Sequence, residues 1–144
     1  MGNDNIFIAL LTFTAICIAS YYDAKKRIIP LWIFPGIFII TLILKIAMGA
    51  ELRWDFMGMA IVLLAALIAT LDGMGGGDVI MFSVISFVIG SRNIIPFFLL
   101  IAAILLLYVI TYKFVLKKKG KMQVPLAPFC ILPYLLILVL EALR

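Results

Sequence analysis

Long apolar segments, separated only by short polar ones, limit the possible folds of this chain more than any other feature of its sequence. An α-helix needs about 20 apolar residues to cross a bilayer, and its backbone satisfies its own hydrogen bonds there. The chain has 144 residues, of which 67% are hydrophobic and 13% are charged, whereas only about half of a soluble domain is apolar. The sequence therefore predicts an all-α, polytopic membrane protein.

Six apolar segments can be separated at polar or glycine-containing breaks. They lie near residues 5–22, 30–48, 54–71, 79–91, 94–112 and 123–142. The fourth is short for a full crossing, so we expect a tilted helix there, or one that begins in a cavity at membrane depth. Because the six segments occupy almost all of the chain, residues 1–144 are expected to form a single membrane domain.

Lys and Arg are divided unequally between alternate loops of this arrangement. Eight lie in the loops after the first and fifth segments: Lys25, Lys26, Arg27, Lys113, Lys117, Lys118, Lys119 and Lys121. Four lie on the opposite side: Lys45, Arg53, Arg92 and Arg144. Since cytoplasmic loops carry the excess of basic residues, both termini are expected outside the cytoplasm. The same rule accounts for the net charge of +5, so the charge indicates a membrane lipid environment and not nucleic-acid binding.

The residue types present exclude several kinds of chemistry. The chain contains no His, which removes nucleophiles activated by a Ser–His or Cys–His pair. Cys17 and Cys130 lie inside apolar segments and lack the spacing of a metal site. The sequence therefore predicts neither a metal nor a cofactor.

Three acidic residues, Asp23, Asp72 and Asp78, fall on the predicted cytoplasmic side. Asp23 ends the first segment and Asp78 begins the fourth, while Asp72 precedes a glycine-rich loop and is interpreted as a surface acid. Taken singly, Asp23 would balance the basic cluster that follows it and Asp78 would cap a helix. If the first and fourth helices are neighbours, however, the two carboxylates can share one proton. Such a pair can hydrolyse a peptide bond without a metal, because one carboxylate deprotonates water while the other polarises the carbonyl.

The position of Asp78 at a helix start suggests which carboxylate is ionised. A side chain there can accept backbone N–H groups, and the helix dipole favours its charged form. On this argument Asp78 is the ionised member of the pair. The three glycines before it, Gly75, Gly76 and Gly77, lack Cβ atoms, so the backbone there can adopt positive φ angles and let a substrate strand pass close by.

Three segments, in this order, resemble the type IV prepilin and archaeal preflagellin peptidases, which are membrane aspartyl proteases. Residues 75–78 (Gly-Gly-Gly-Asp) fit the family's G-x-G-D motif. Residues 23–31 resemble the family's first-aspartate segment, in which an Asp and a basic residue precede Ile-Pro-Asn. Residues 125–129 (Pro-Leu-Ala-Pro-Phe) are similar to its Pro-Phe-Gly-Pro-Phe segment. The glycine motif alone is weakly specific for the family, but the three segments together, in this order, are strongly specific for it.

The resemblance implies an aspartic endopeptidase in the cell membrane of a prokaryote. Its substrate would be a prepilin or pilin-like precursor, or a preflagellin, whose short basic leader is cut off at the cytoplasmic face just before a hydrophobic helix. The implied catalytic residues are Asp23 and Asp78. Substrate binding or loop support is implied for Gly75, Gly76, Gly77, Arg27, Pro30, Pro125 and Pro128.

The chain also departs from the family's pattern. Ile80 stands where the family often has a Lys, and Leu31 replaces the usual Asn. The N-terminal domain with paired CxxC motifs that larger bacterial members carry is missing, so methylation of the mature pilin is not predicted. The resemblance is therefore to the short form of the family.

Two other functions remain open at this point. Acids and broken helices also mark the ion paths of small transporters and ion-binding subunits, although those acids usually lie near the bilayer midplane and not at span ends. An intramembrane protease of the presenilin type also fits Tyr22-Asp23 and residues 75–78. The short chain and the other two motifs favour a leader peptide as the substrate.

Overall fold

The computed structural model describes residues 3–26, 29–30, 32–71, 75–115 and 126–143. These residues contain no strand and form six α-helices. The helices are α1 (Asn3–Lys26), α2 (Ile33–Ala47), α3 (Leu52–Thr70), α4 (Gly76–Ile89), α5 (Ser91–Ile110) and α6 (Ala127–Ala142). A π-helical turn, Thr111–Val115, continues α5. The prediction of an all-α fold with six helices is confirmed for this part of the chain.

The helices fall into a long and a short class. Three of the described segments are long and apolar enough to cross a membrane: Ile6–Lys26, Leu52–Thr70 and Ser91–Lys113. The other three helices, α2, α4 and α6, have 15, 14 and 16 residues. At 1.5 Å per residue these are roughly 21–24 Å long, which is less than the ~30 Å hydrocarbon core of a bilayer. The shortest, α4, corresponds to the short fourth segment of the sequence.

The shortest helix is also the most buried one. Nine of its 14 residues are buried, and it packs against α1, α2, α3 and α5. Ser83 and Ser86 lie inside this core and satisfy their hydroxyl groups within the helix, by donating to the Val79 and Ser83 carbonyls at 2.7 and 2.8 Å. On the outside, α6 contacts both α1 and α5. The other helices therefore surround α4.

A charged cluster holds α4 at its C-terminal end. Lys45 of α2 forms an ion pair with Asp55 of α3 at 2.6 Å and donates a second hydrogen bond, also 2.6 Å, to the Phe87 carbonyl. Asp55 accepts the Ser91 N–H at 3.0 Å and so caps α5. Gly90, between α4 and α5, has φ +75°, and a Cβ there would lie 3.1 Å from Asp55 Oδ1. This cluster ties four helices together at the end opposite Asp23 and Asp78.

Removing the lysine should therefore destabilise the fold. The Lys45 and Asp55 side chains are only 12% and 16% exposed, and a buried charge that loses its partner costs about 3 kcal/mol or more. We expect Lys45→Met to lower the free energy of unfolding by ~3 kcal/mol, measured by denaturant titration in detergent. The same substitution at Lys113, which is exposed, is the control, and equal stability of the two variants would contradict this role of the ion pair.

Candidate active site

Asp23 lies in the last turn of α1, where it is only 8% exposed. Its carboxylate oxygen Oδ2 accepts the backbone N–H of Ala127 at 3.1 Å. Ala127 is the first residue of α6, and the first N–H groups of a helix have no partner within the helix and carry partial positive charge. The start of α6 therefore holds Asp23 in place.

Asp78 lies in the first turn of α4. Its own N–H donates to the Gly75 carbonyl at 3.0 Å. The carboxylate oxygen Oδ2 lies against Gly75, where an added Cβ would be 3.2 Å away. The other oxygen, Oδ1, is fully buried and has no hydrogen-bond partner among the described residues. One oxygen of Asp78 is thus desolvated without compensation from this part of the chain.

The structure brings the two carboxylates together. Asp78 lies within electrostatic range of Asp23, and the buried Cys130 thiol on α6 lies within range of both. The thiol donates to the Leu126 carbonyl at 3.5 Å. The position of Cys130 near the two acids could not be predicted from the sequence, because its apolar neighbours do not indicate which helix end faces it. No group of three or more His, Cys, Asp or Glu side chains in the described ranges is placed to hold a metal ion.

The glycines before Asp78 differ from the sequence expectation. None of Gly75, Gly76 and Gly77 has a positive φ; Gly75 is extended at φ −70°, and α4 already begins at Gly76. The chain does not use positive φ angles here, because two of the three glycines belong to the helix. Gly77 instead permits a close contact, since a Cβ there would lie 2.9 Å from Ile29 Cβ, whereas a Cβ on Gly76 would meet nothing within 4 Å.

The remaining predicted site residues fall into two groups. Pro30 lies in the connection between α1 and α2, where its carbonyl accepts the Ile33 N–H at 3.4 Å. Pro128 lies in the first turn of α6, where its missing N–H breaks no intrahelical bond. Pro128 therefore marks the start of this helix, and in the sequence it predicts that the unpaired backbone N–H groups of a helix start are near. Arg27 and Pro125, like Leu31, Asp72 and the lysines at 117–121, lie outside the described residues.

The carboxylates of Asp23 and Asp78, at the ends of two helices that contact each other, define an all-α protein with a candidate acid/base site. Comparison with known families now adds that the model of the type IV leader peptidase family matches residues 10–111. The match spans more than half of the chain, so the chain belongs to this family, and the predicted resemblance is confirmed. The matched range contains both Asp23 and Asp78 and ends before α6. Neither a curated protein nor a solved structure matches the chain.

Membership of this family decides between the classes of function that the sequence left open. A leader peptidase is a hydrolase, so the family favours peptide-bond hydrolysis over an ion-coupled transporter. It also implies a prepilin-type substrate in general. The family assignment rests on the match over residues 10–111 and not on the role of any single residue.

The contact between Gly77 and Ile29 gives a test of how Asp78 is positioned. In Gly77→Ala the added methyl group meets the branched Cβ of Ile29, so the first turn of α4 must shift and move Asp78. Since a shift of about 1 Å at a reacting group can lower a rate ~100-fold, we expect kcat for leader cleavage to fall at least ~10-fold. The matched control is Gly76→Ala, which adds the same methyl group into open space. Equal activity of the two variants would show that the contact with Ile29 does not position Asp78.

Proposed function

We propose that this protein is an aspartic endopeptidase that removes the short basic leader from prepilin or pilin-like precursors at the cytoplasmic face of the cell membrane, with Asp23 and Asp78 as its acid/base pair. The observation that carries the proposal is that the carboxylates of the buried Asp23 and the half-buried Asp78, on helices far apart in sequence, lie within electrostatic range of each other. Membership of the type IV leader peptidase family supports it independently.

The hydrogen bonds of the two carboxylates suggest their separate roles. Asp23 accepts an N–H group from the start of α6 at 3.1 Å, so one of its oxygens has a hydrogen-bond donor. Asp78 has a buried oxygen without a partner among the described residues, and ionising such a group costs free energy. We therefore assign the shared proton to Asp78, the opposite of the assignment that the sequence suggested.

The reaction then follows from these roles. The ionised Asp23 takes a proton from a water molecule, and the resulting hydroxide attacks the carbonyl carbon of the scissile bond. Asp78 donates a hydrogen bond to the carbonyl oxygen as negative charge develops on it. Collapse of the tetrahedral intermediate breaks the C–N bond, and the leaving nitrogen receives the proton that Asp23 accepted. The water supplies the new C–O bond, so the reaction needs no further reactant.

The two aspartates can be tested by isosteric substitution. Asp23→Asn and Asp78→Asn should each abolish cleavage of a pilin-like precursor in membranes, because neither amide can exchange a proton as the acid/base pair requires. The control is Asp72→Asn, which removes the third acid of the same predicted side and should leave cleavage within about twofold of the wild type. Cleavage retained by either of the first two variants would refute the proposed pair.

The role of Ala127 can be tested through the rate of leader cleavage. Ala127→Pro removes the N–H donor at a helix position that accepts proline, so Asp23 loses the hydrogen bond that holds it at the start of α6. Because displacement of a reacting group lowers the rate, we expect kcat to fall at least ~10-fold. Ala127→Gly keeps the donor and should leave kcat within about twofold of the wild type.

Apparent melting temperatures in detergent, measured on the same samples, separate loss of the donor from loss of the fold. A wild-type kcat in folded Ala127→Pro would contradict the role of the Ala127 N–H in positioning Asp23.

A further inference from the structure

A long apolar groove runs between α1 and α2 on the outside of the helices. Its volume is about 830 Å³, and its walls extend from Phe7 to Tyr22 on α1 and from Pro30 to Ile40 on the α2 side. Thr14 is one of its few polar side chains, and it donates its hydroxyl group to the Leu10 carbonyl of its own helix at 2.8 Å. The groove is therefore a continuous apolar surface, and Thr14 does not need a hydrogen-bond partner from an occupant.

Both walls of this groove end beside the candidate site. On α1 the last lining residue, Tyr22, directly precedes Asp23. On the other wall Pro30 directly follows Ile29, and Ile29 packs against Gly77, the residue before Asp78. An occupant that follows the groove along α1 thus arrives between the two segments that carry the carboxylates.

Gly36 in this groove packs against none of the other described residues. It lies in the interior of α2, where glycine costs about 0.5–1 kcal/mol relative to alanine. It is exposed, and a Cβ added to it would meet nothing within 4 Å. In membranes, small residues on a helix surface let a second helix approach closely. Gly36 thus widens the groove for an occupant that is not a helix of this chain.

The length of the groove fits a helical occupant. From Phe7 to Tyr22, α1 rises roughly 22 Å, or about four helical turns. We propose that the α1–α2 groove binds the hydrophobic helix of the precursor, parallel or antiparallel to α1, with the end of that helix beside Asp23 and Asp78. This inference rests on the proposed function, because it takes the substrate to be a leader followed by a hydrophobic helix.

A second apolar groove, between α3 and α5, provides a matched control. Its volume is about 660 Å³, and its lining includes the small residues Ala65 and Ala102. It comes near the site at Leu126, the residue before Ala127, and at Phe82, one helical turn after Asp78. Ala102 is exposed like Gly36, so a leucine at either position fills one groove without entering the core.

The test compares two substrates of the purified enzyme in detergent. One is a pilin-like precursor that the wild-type enzyme cleaves, and the other is a short peptide with its leader and only the first few apolar residues. Gly36→Leu should raise KM for the precursor at least ~10-fold while kcat/KM for the short peptide stays within about twofold. Ala102→Leu should change neither substrate. Unchanged cleavage of the precursor by Gly36→Leu, or loss of both substrates together, would overturn the proposal.

A cross-linking measurement gives an independent result if Gly36→Leu folds poorly. A photoreactive phenylalanine analogue is placed at Ile40 in one sample and at Leu99 in another, each with Asp23→Asn to prevent cleavage. The precursor should cross-link from position 40 and not from position 99; the reverse, or cross-linking to lipid alone at both positions, would refute docking in the α1–α2 groove. If Asp23→Asn still cleaves, the acid/base proposal fails, while the cross-link still reports where the helix binds.

Discussion

The hydrogen bond between the Ala127 N–H and the Asp23 carboxylate is the contact on which the rest of the candidate site depends. It joins residues 104 positions apart, at the end of α1 and the start of α6. A buried helix start leaves N–H groups without partners, and a buried carboxylate needs donors, so each group satisfies the other. Further along the same pair of helices, the fully buried Tyr134 donates its hydroxyl group to the Ala9 carbonyl at 3.3 Å. Together these contacts fix α6 against α1 and so hold Asp23 where α4 presents Asp78.

Asp78 depends in turn on a helix that is held at both ends. At the C-terminal end of α4, Lys45 binds the Phe87 carbonyl and its partner Asp55 caps the next helix. At the N-terminal end, Gly77 packs directly on Ile29. Between these points the buried side chains of α4 lock it against four neighbouring helices. Because acid/base chemistry tolerates little displacement of the reacting groups, a short, enclosed helix is a suitable carrier for one of the two carboxylates.

The sequence was sufficient for the fold class and for the candidate pair, but not for the packing. Apolar segment lengths indicate six helices, because the bilayer requires them, and the positions of Asp23 and Asp78 with their flanking motifs indicate the family. The central place of α4 could not be read in the same way. In a membrane, lipid is as apolar as a protein core, so the residues of the enclosed α4 look much like those of the exposed face of α5.

Contacts between segments that are far apart in the chain could not be predicted from the sequence either. Gly77 needs to be glycine because of Ile29, which belongs to a different connection, and positive φ angles occur at Gly49 and Gly90, where the chain turns between helices. Pro128 indicated a helix start, and hence free N–H groups, but nothing in the sequence showed that Asp23 would meet them.

Charge around the site bears on how a basic leader would be held there. Lys25 and Lys26 follow Asp23 and have the same sign as such a leader, so they would repel it. In the structure, however, both ammonium groups lie over tyrosine rings on the same helix, at 5.4 Å from the Tyr21 ring centre for Lys25 and 5.6 Å from that of Tyr22 for Lys26. Cation–π contacts of this kind orient the two charges along the surface of α1.

Any repulsion between these lysines and a basic leader must be offset by binding elsewhere. In the proposed precursor, the apolar helix is the part with the most surface to bury. Binding energy from such a remote part of a substrate can hold the scissile bond in position at the reacting groups. The apolar groove would then supply the substrate affinity that the charges beside the site do not. The two carboxylates would supply the chemistry of the cleavage.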